Sequence, residues 1–186
     1  WSSDVCSSDL ATGMFGATHH GIEDLALLRS VSNITIFSPA DCTATVKMTQ
    51  AALAHNGPVY LRLTGGMRAP IVYKEDFELI PGKAISLREG TDIAIVATGS
   101  MVHTALVTAD LLSDHGINAA VIDMHTIKPL DEASLGQHLD KKLLVTLEEH
   151  SVIGGLGSAI AEYLAGTENS PRQLRLGIPQ GYPHSG

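Results

Sequence analysis

Cysteine, positive charge and long apolar runs are all scarce in this chain. Two cysteines in 186 residues allow one disulfide at most. So sparse a content fits a reducing cytoplasm better than a disulfide-built scaffold. Twelve Lys and Arg stand against twenty Asp and Glu, for a net charge of -8. Nucleic acid is therefore not an expected partner, because phosphate backbones need a basic surface. No apolar run approaches the roughly 20 residues that span a bilayer, so no membrane helix is expected. What is present is ordinary for a globular protein: 44% apolar and 17% charged residues exclude a disordered or collagen-like chain. The length suits one domain or two.

Residues 1–10 (WSSDVCSSDL) show no apolar periodicity and repeat Ser-Ser-Asp. They also lack the basic start and apolar stretch of a signal peptide. One in-frame choice of codons for them reads as a common sequencing-library adapter. The segment is accordingly taken as adapter-derived and set aside from fold reasoning, Cys6 with it. At the other end GYPHSG stops without a closing helix, so both ends read as cut.

From Gly21 onward helical and strand-like segments alternate. Ile22, Leu25, Ala26 and Leu28 sit at helical spacing behind Glu23 and Asp24, which suit a helix N-terminus. Thr35 to Phe37 is a short β-favouring run. Asp41 is a candidate N-cap for a helix from Cys42 to about His55, and Asn56-Gly57-Pro58 breaks it before a strand over Val59 to Leu63. Residues 67–90 show no stable period and read as a linker. Beyond them Asp92 to Thr98, Ala119 to Met124 and Leu143 to Leu147 read as strands buried on both faces. Helices are expected over Met101 to His115, stopped by Gly116, over Asp131 to about Leu139, and over Gly155 to Leu164. Gln173 to Gly177 could add a strand. This order predicts an α/β fold with right-handed crossovers and a mostly parallel sheet.

Three segments carry groups suited to chemistry. Gly16-Ala17-Thr18-His19-His20-Gly21 places two imidazoles between glycines just before a helix, where a tight backbone can present a proton-shuttling group to a cleft. On composition alone, helix-entry hydrogen bonding or contact with water is the better supported reading of both. Adjacent histidines with no i, i+4 partner make zinc a poor fit. Arg62 lies inside an apolar strand before Thr64-Gly65-Gly66. Its guanidinium suits either a phosphate or a buried carboxylate, and the sequence leaves both open. The third segment, EEHSVIGGLGS from Glu148 to Ser158, joins a strand to a helix through glycines. Free amides there can bind an anion. The spacing is not that of a dinucleotide or P-loop motif, however, and two carboxylates stand ahead of it, so a structural turn is the favoured reading. His103, His125 and His138 are scattered, and packing is the default for each.

In this order the segments resemble the transketolase family. GATHHGIEDLALLRSVSNITIFSPAD and GPVYLRL are similar to the family's pyrimidine-binding domain. GTDIAIVATGSMVHTAL, VIDMHTIKPLD and LVTLEEHSVIGGLGSAIAEYLA resemble successive elements of its C-terminal domain. The resemblance divides the chain into the C-terminal part of a pyrimidine-binding α/β domain (11–66), a linker (67–90) and a transketolase C-terminal-type α/β/α domain, incomplete at its end (91–186). It implies thiamine diphosphate as cofactor, held through Mg2+, and transfer of a two-carbon ketol unit between sugar phosphates or related substrates. In this light His19 matches the catalytic, substrate-contacting histidine, His20 a second substrate-binding histidine, and Arg62 an arginine that holds an acceptor's phosphate. The glutamate that protonates the cofactor's ring, and the domain that binds its diphosphate and metal, are expected upstream of this sequence. The chain is thus expected to need a diphosphate-binding domain or subunit, as a homo-oligomer or heterotetramer, and to be inactive alone. Where sugar transketolases carry an aspartate before the motif's first glycine, Phe15 stands here. A phenyl ring cannot accept a substrate hydroxyl, and losing such a partner costs up to about 10⁴ in discrimination. The alternatives are a 1-deoxy-D-xylulose-5-phosphate synthase-like enzyme, the β subunit of a 2-oxoacid dehydrogenase, which GATHH fits poorly, and a non-catalytic assembly subunit.

Overall fold

A computed structural model describes residues 21–63 and 70–181, together with the backbone of residues 6–7. His19, His20 and Phe15 lie outside the described residues. The elements run β1 (Cys6–Ser7), α1 (Asp24–Arg29), β2 (Thr35–Phe37), α2 (Cys42–Ala54), β3 (Val59–Leu63), β4 (Ile85–Arg88), β5 (Ile93–Ala97), α3 (Met101–Asp114), β6 (Ala119–Asp123), β7 (Thr126–Lys128), α4 (Glu132–Gly136), β8 (Leu143–Ser151), α5 (Leu156–Ala165) and β9 (Arg172–Ile178).

Among the described residues these strands form two sheets, ordered β1-β3-β2-β7 and β4-β6-β5-β8-β9. In the second, β6, β5, β8 and β9 are all parallel, with Ile95 of β5 opposite Val121 and Val145. β5 alternates its side chains between two apolar layers. Ala94 and Val96 join Leu156 and Ile160 of α5 on one face, while Ile95 and Ala97 join Val102, Ala105 and Ala109 of α3 on the other. Alanine at so many of these positions lets α3 approach closely, since interiors are close-packed and tolerate few voids. Each fully buried Leu or Ile in such layers contributes about 1.5–3 kcal/mol over an exposed one. Leu25, Ile36 and Tyr60 of the N-terminal elements belong to the same apolar layer as α5, so the two sheets share a core.

The chain also ties the sheets directly. β7 leaves the second sheet and pairs antiparallel with β2 of the first, Phe37 opposite Thr126. Local signals behave as expected at several ends. Asp41 caps α2 by accepting from Ala44 N–H at 2.8 Å. Gly116, with φ +75°, ends α3. Two strands were not legible beforehand. β4 lies within the stretch 67–90 and pairs antiparallel with β6 as an edge. β7 is as short as β2, but it ends on Lys128 before Pro129 where β2 ends on an aromatic, so it offers no β-favouring run. Two residues of the segment set aside as adapter-derived, Cys6 and Ser7, run parallel to Arg62 and Leu63. A main-chain ladder accepts almost any side chain, so this pairing is neutral on the segment's origin.

Candidate functional site at the seam between the sheets

A buried polar group lies where α1 and β3 meet the end of β8 and the start of α5. Arg62, 3% exposed, donates from Nε to Asp24 Oδ2 at 2.8 Å. Its Nη2 donates to the carbonyls of Gly21, at 3.1 Å, and Glu149, at 3.0 Å. Tyr60 Oη donates to the same Asp24 oxygen at 2.8 Å. The strand's alternation explains the placement: Tyr60 and Arg62 are the two buried residues of β3, two apart on one face. Arg62 is therefore engaged by a carboxylate, the pairing that its place in an apolar strand left open.

His150, fully buried, closes the group from the C-terminal side. Its Nε2 accepts from Ala26 N–H at 3.3 Å and its Nδ1 lies 2.7 Å from Ser151 O. That pair of contacts fits the neutral tautomer with the proton on Nδ1, and burial pushes the imidazole pKa down. Next to it, Ser151 N–H donates to Ile22 O at 2.7 Å.

Glu148 explains the glycine-rich turn. Its two carboxylate oxygens accept from Leu156 N–H at 2.6 Å and Gly157 N–H at 2.8 Å, so the start of α5 is satisfied from within the chain. A protein carboxylate occupies the place where an anion would bind, as the structural-turn reading of this segment expects. Burial pushes the Glu148 pKa up, and the two N–H groups oppose that shift. At Gly155 a Cβ would stand 2.0 Å from Glu148 Oε2, so only glycine fits.

A second buried group lies on the α3 side of the sheet. Asp41 Oδ2 accepts from Val72 and Tyr73 N–H at 2.7 and 2.8 Å, and Tyr73 Oη donates to Asp123 Oδ2 at 2.7 Å. Burial drives the Asp123 pKa up to about 7 and that of Tyr73 well above its usual value. Sequence reasoning singled out Arg62 and the segment that holds Glu148 and His150, and read Asp24 and Asp41 only as helix-start residues; Tyr60, Tyr73 and Asp123 carried no signal, since the members lie far apart along the chain and share no motif. His125 and His138 are buried and His103 half-buried, so the packing default holds for the first two.

Among the described residues no group of three or more His, Cys, Asp or Glu side chains is placed to hold a metal ion. A surface hollow of about 350 Å³ between α1, α5 and β7 is lined by Glu132 and by three paired charges, Arg29 with Glu162 and Lys128 Nζ with the carbonyls of Arg29 and Val31. No described helix is long and apolar enough to cross a membrane.

Comparison with known proteins places the whole arrangement. Residues 5–67 match the family model for the transketolase pyrimidine binding domain, and residues 82–186 match that for the transketolase C-terminal domain. The chain is similar to the 6-deoxy-6-sulfo-D-fructose transketolase subunit SqwH of Clostridium sp. (strain MSTE9), with 45% identity over 163 residues, covering 86% of this chain and 49% of that protein. It is also similar to a 1-deoxy-D-xylulose-5-phosphate synthase of Chlorobium phaeovibrioides (strain DSM 265 / 1930), with 39% identity over 173 residues, 91% of this chain and 27% of that protein. A solved structure described as "Split gene transketolase, inactive beta4 tetramer" superposes with a TM-score of 0.83 and 42% identity, covering 87% of this chain and 54% of its own. The chain spans about half the length of the subunit and of the split-gene protein, and about a quarter of the synthase. With both of its parts matched in the expected order, the chain belongs to the transketolase family.

Proposed function

We propose that this chain is one part of a thiamine-diphosphate-dependent transketolase-type enzyme, transferring a two-carbon ketol unit between sugar phosphates or related substrates in the cytoplasm. The observation that carries the reading is the match to both family models in order, together with 42% identity to a split-gene transketolase over 87% of this chain. That relative is described as inactive in its β4 form. By the same logic this chain awaits a diphosphate-binding region or subunit, in a homo-oligomer or heterotetramer, and turns over nothing alone. The cofactor supplies the carbanion chemistry and the Mg2+ site lies with the complementary part; the chain's own contribution is orientation and proton transfer. His19 is the catalytic histidine in this reading, His20 contacts substrate, and Arg62 borders the same segment through Gly21.

The test is co-expression with a complementary diphosphate-binding subunit and assay of ketol transfer. His19→Ala should lower turnover by about 10²–10⁴, the usual worth of a positioned acid–base group. Unchanged turnover would remove His19 from the mechanism. A second reading, a synthase of the 1-deoxy-D-xylulose-5-phosphate type, is favoured by 39% identity over 91% of the chain and by the paired histidines. Formation of that product in place of ketol transfer would select it. The third reading, a non-catalytic assembly subunit, predicts complex formation with no activity from either assay.

A further inference from the structure

Arg62 is held along one side of its guanidinium only. Nε donates to Asp24 Oδ2 at 2.8 Å, and Nη2 divides its two N–H groups between the carbonyls of Gly21 and Glu149. Nη1, on the far side of the planar group from the Nε–H, has no hydrogen-bond partner among the described residues. A cationic nitrogen with two unused donors, on a side chain 4% exposed, suits an oxyanion, and a site shielded from water strengthens such a bond. The two partners that the sequence left open for Arg62, a carboxylate and a phosphate, therefore call on different nitrogens and do not compete.

An arginine side chain is flexible, and the freedom it gives up on binding weakens the complex unless it is surrendered beforehand. Here the Nε end is fixed in advance by a carboxylate that is itself fixed, since Tyr60 Oη donates to the same Asp24 Oδ2 at 2.8 Å. Asp24 in turn stands in the first turn of α1, so its own place is set by the helix. We infer that Asp24 is a positioning residue, which aims Nη1 of Arg62 at the acceptor's phosphate and so governs the preference for phosphorylated acceptors without touching them. The inference rests on Arg62 being the arginine that holds that phosphate.

The test compares, in the assembled enzyme, kcat/KM for a phosphorylated aldose acceptor and for the same aldose without its phosphate. Asp24→Ala should lower the ratio of the two at least about fivefold, chiefly through KM for the phosphorylated acceptor. Asp24→Asn, which keeps an acceptor of the same shape for Nε and for Tyr60 Oη, should hold the ratio within about twofold of the parent. A merely structural role would lower Tm and weaken both acceptors alike, and an unchanged ratio would overturn the inference. An equal fall, or a rise, in both variants would trace the effect to the charge of Asp24 and overturn it too. Should Asp24→Ala fail to fold, Tyr60→Phe carries the test, since it keeps the ion pair but loosens its carboxylate. It must lower the ratio about twofold, and a ratio left in place would again refute the role. Arg62→Lys, whose one nitrogen is claimed by Asp24, separates premise from inference. If the ratio survives that substitution, the phosphate-holding reading of Arg62 falls and the inference with it. If Arg62→Lys lowers the ratio while Asp24→Ala and Tyr60→Phe do not, the positioning role alone falls.

Discussion

Arg62 and Asp123 are both buried, 3% and 0% exposed, and they solve the problem of a buried ionisable group in opposite ways. Around Arg62 the charge is kept and surrounded: one carboxylate, two carbonyls and a tyrosine hydroxyl converge on the pair. Among the described residues no cation acts on the charge of Asp123. Tyr73 donates to one oxygen and the Asp41 carboxylate stands nearby, while Oδ1, like Asp24 Oδ1 in the first group, has no hydrogen-bond partner among the described residues. The first network is an ion pair closed by hydrogen bonds with Tyr60, Gly21 and Glu149. The second is held together by whether one carboxyl carries a proton. One fold thus has an ion-paired seam on the α1 side and a proton-sensitive joint on the α3 side.

The largest way to break this contrast is to remove the cation. Arg62→Met should cost about 3–5 kcal/mol in urea unfolding, because it strands Asp24 in the interior. Combining it with Asp24→Leu should recover most of the loss, and a single-variant cost below about 1 kcal/mol would mean that the pair is solvated after all. Next comes Gly155→Ala. Its Cβ would press within 2.0 Å of Glu148 Oε2 and 2.6 Å of His150 Nδ1. Displacing that carboxylate forfeits charge-assisted bonds worth about 2 kcal/mol or more, read as a lower Tm.

The proton-sensitive joint is probed by pH. Asp123 has a folded pKa raised from 3.8 to about 7. The folded state therefore binds the proton more tightly than the unfolded one. The associated stability is complete below the unfolded pKa and is lost as pH rises to about 7. Asp123→Asn should abolish this slope and be the more stable form at about pH 8, by of order 1–3 kcal/mol at about 1.4 kcal/mol per tenfold in proton affinity. Urea midpoints that keep the wild-type slope in this variant would place the titration elsewhere. His125 works in the reverse direction. Burial lowers its pKa from 6.5 to about 4, so its neutral form stabilises the fold above about 6.5 and that stability is lost as pH falls to about 4. His125→Gln should therefore flatten the acid side of the profile, by an amount smaller than the Asp123 effect. The smallest change is expected at the surface. Glu162→Gln, at an exposed partner of Arg29, should shift stability by no more than about 0.5 kcal/mol in the same measurement.

The layered part of the fold was legible because it obeys local rules. Short runs such as IAIVA and AAVID, both buried on two faces, read as parallel strands without any tertiary knowledge. Asp41 and Gly116 marked a helix start and a helix end by their own backbone preferences. β4 escaped because an edge strand with partial burial leaves no period to detect, and β7 because its Thr-Ile-Lys run lacks the apolar end that marked the equally short β2. For the site, Arg62 stood out as a charge in an apolar strand, but its partner Asp24 looked only like a helix-start residue. The pairing joins positions 38 apart in sequence, and the contact of Tyr73 with Asp123 joins positions 50 apart. Such contacts are created by folding, and no spacing rule encodes them.

Glu148 decides what the start of α5 can bind. A helix start flanked by glycines is a general receptor for negative groups, and here the receptor arrives already filled by a tethered occupant that dilution cannot remove. A soluble phosphate would compete against a carboxylate fixed at high effective concentration. Segments of this appearance can therefore be screened for nucleotide binding by one question: whether the strand just before the turn supplies its own acid.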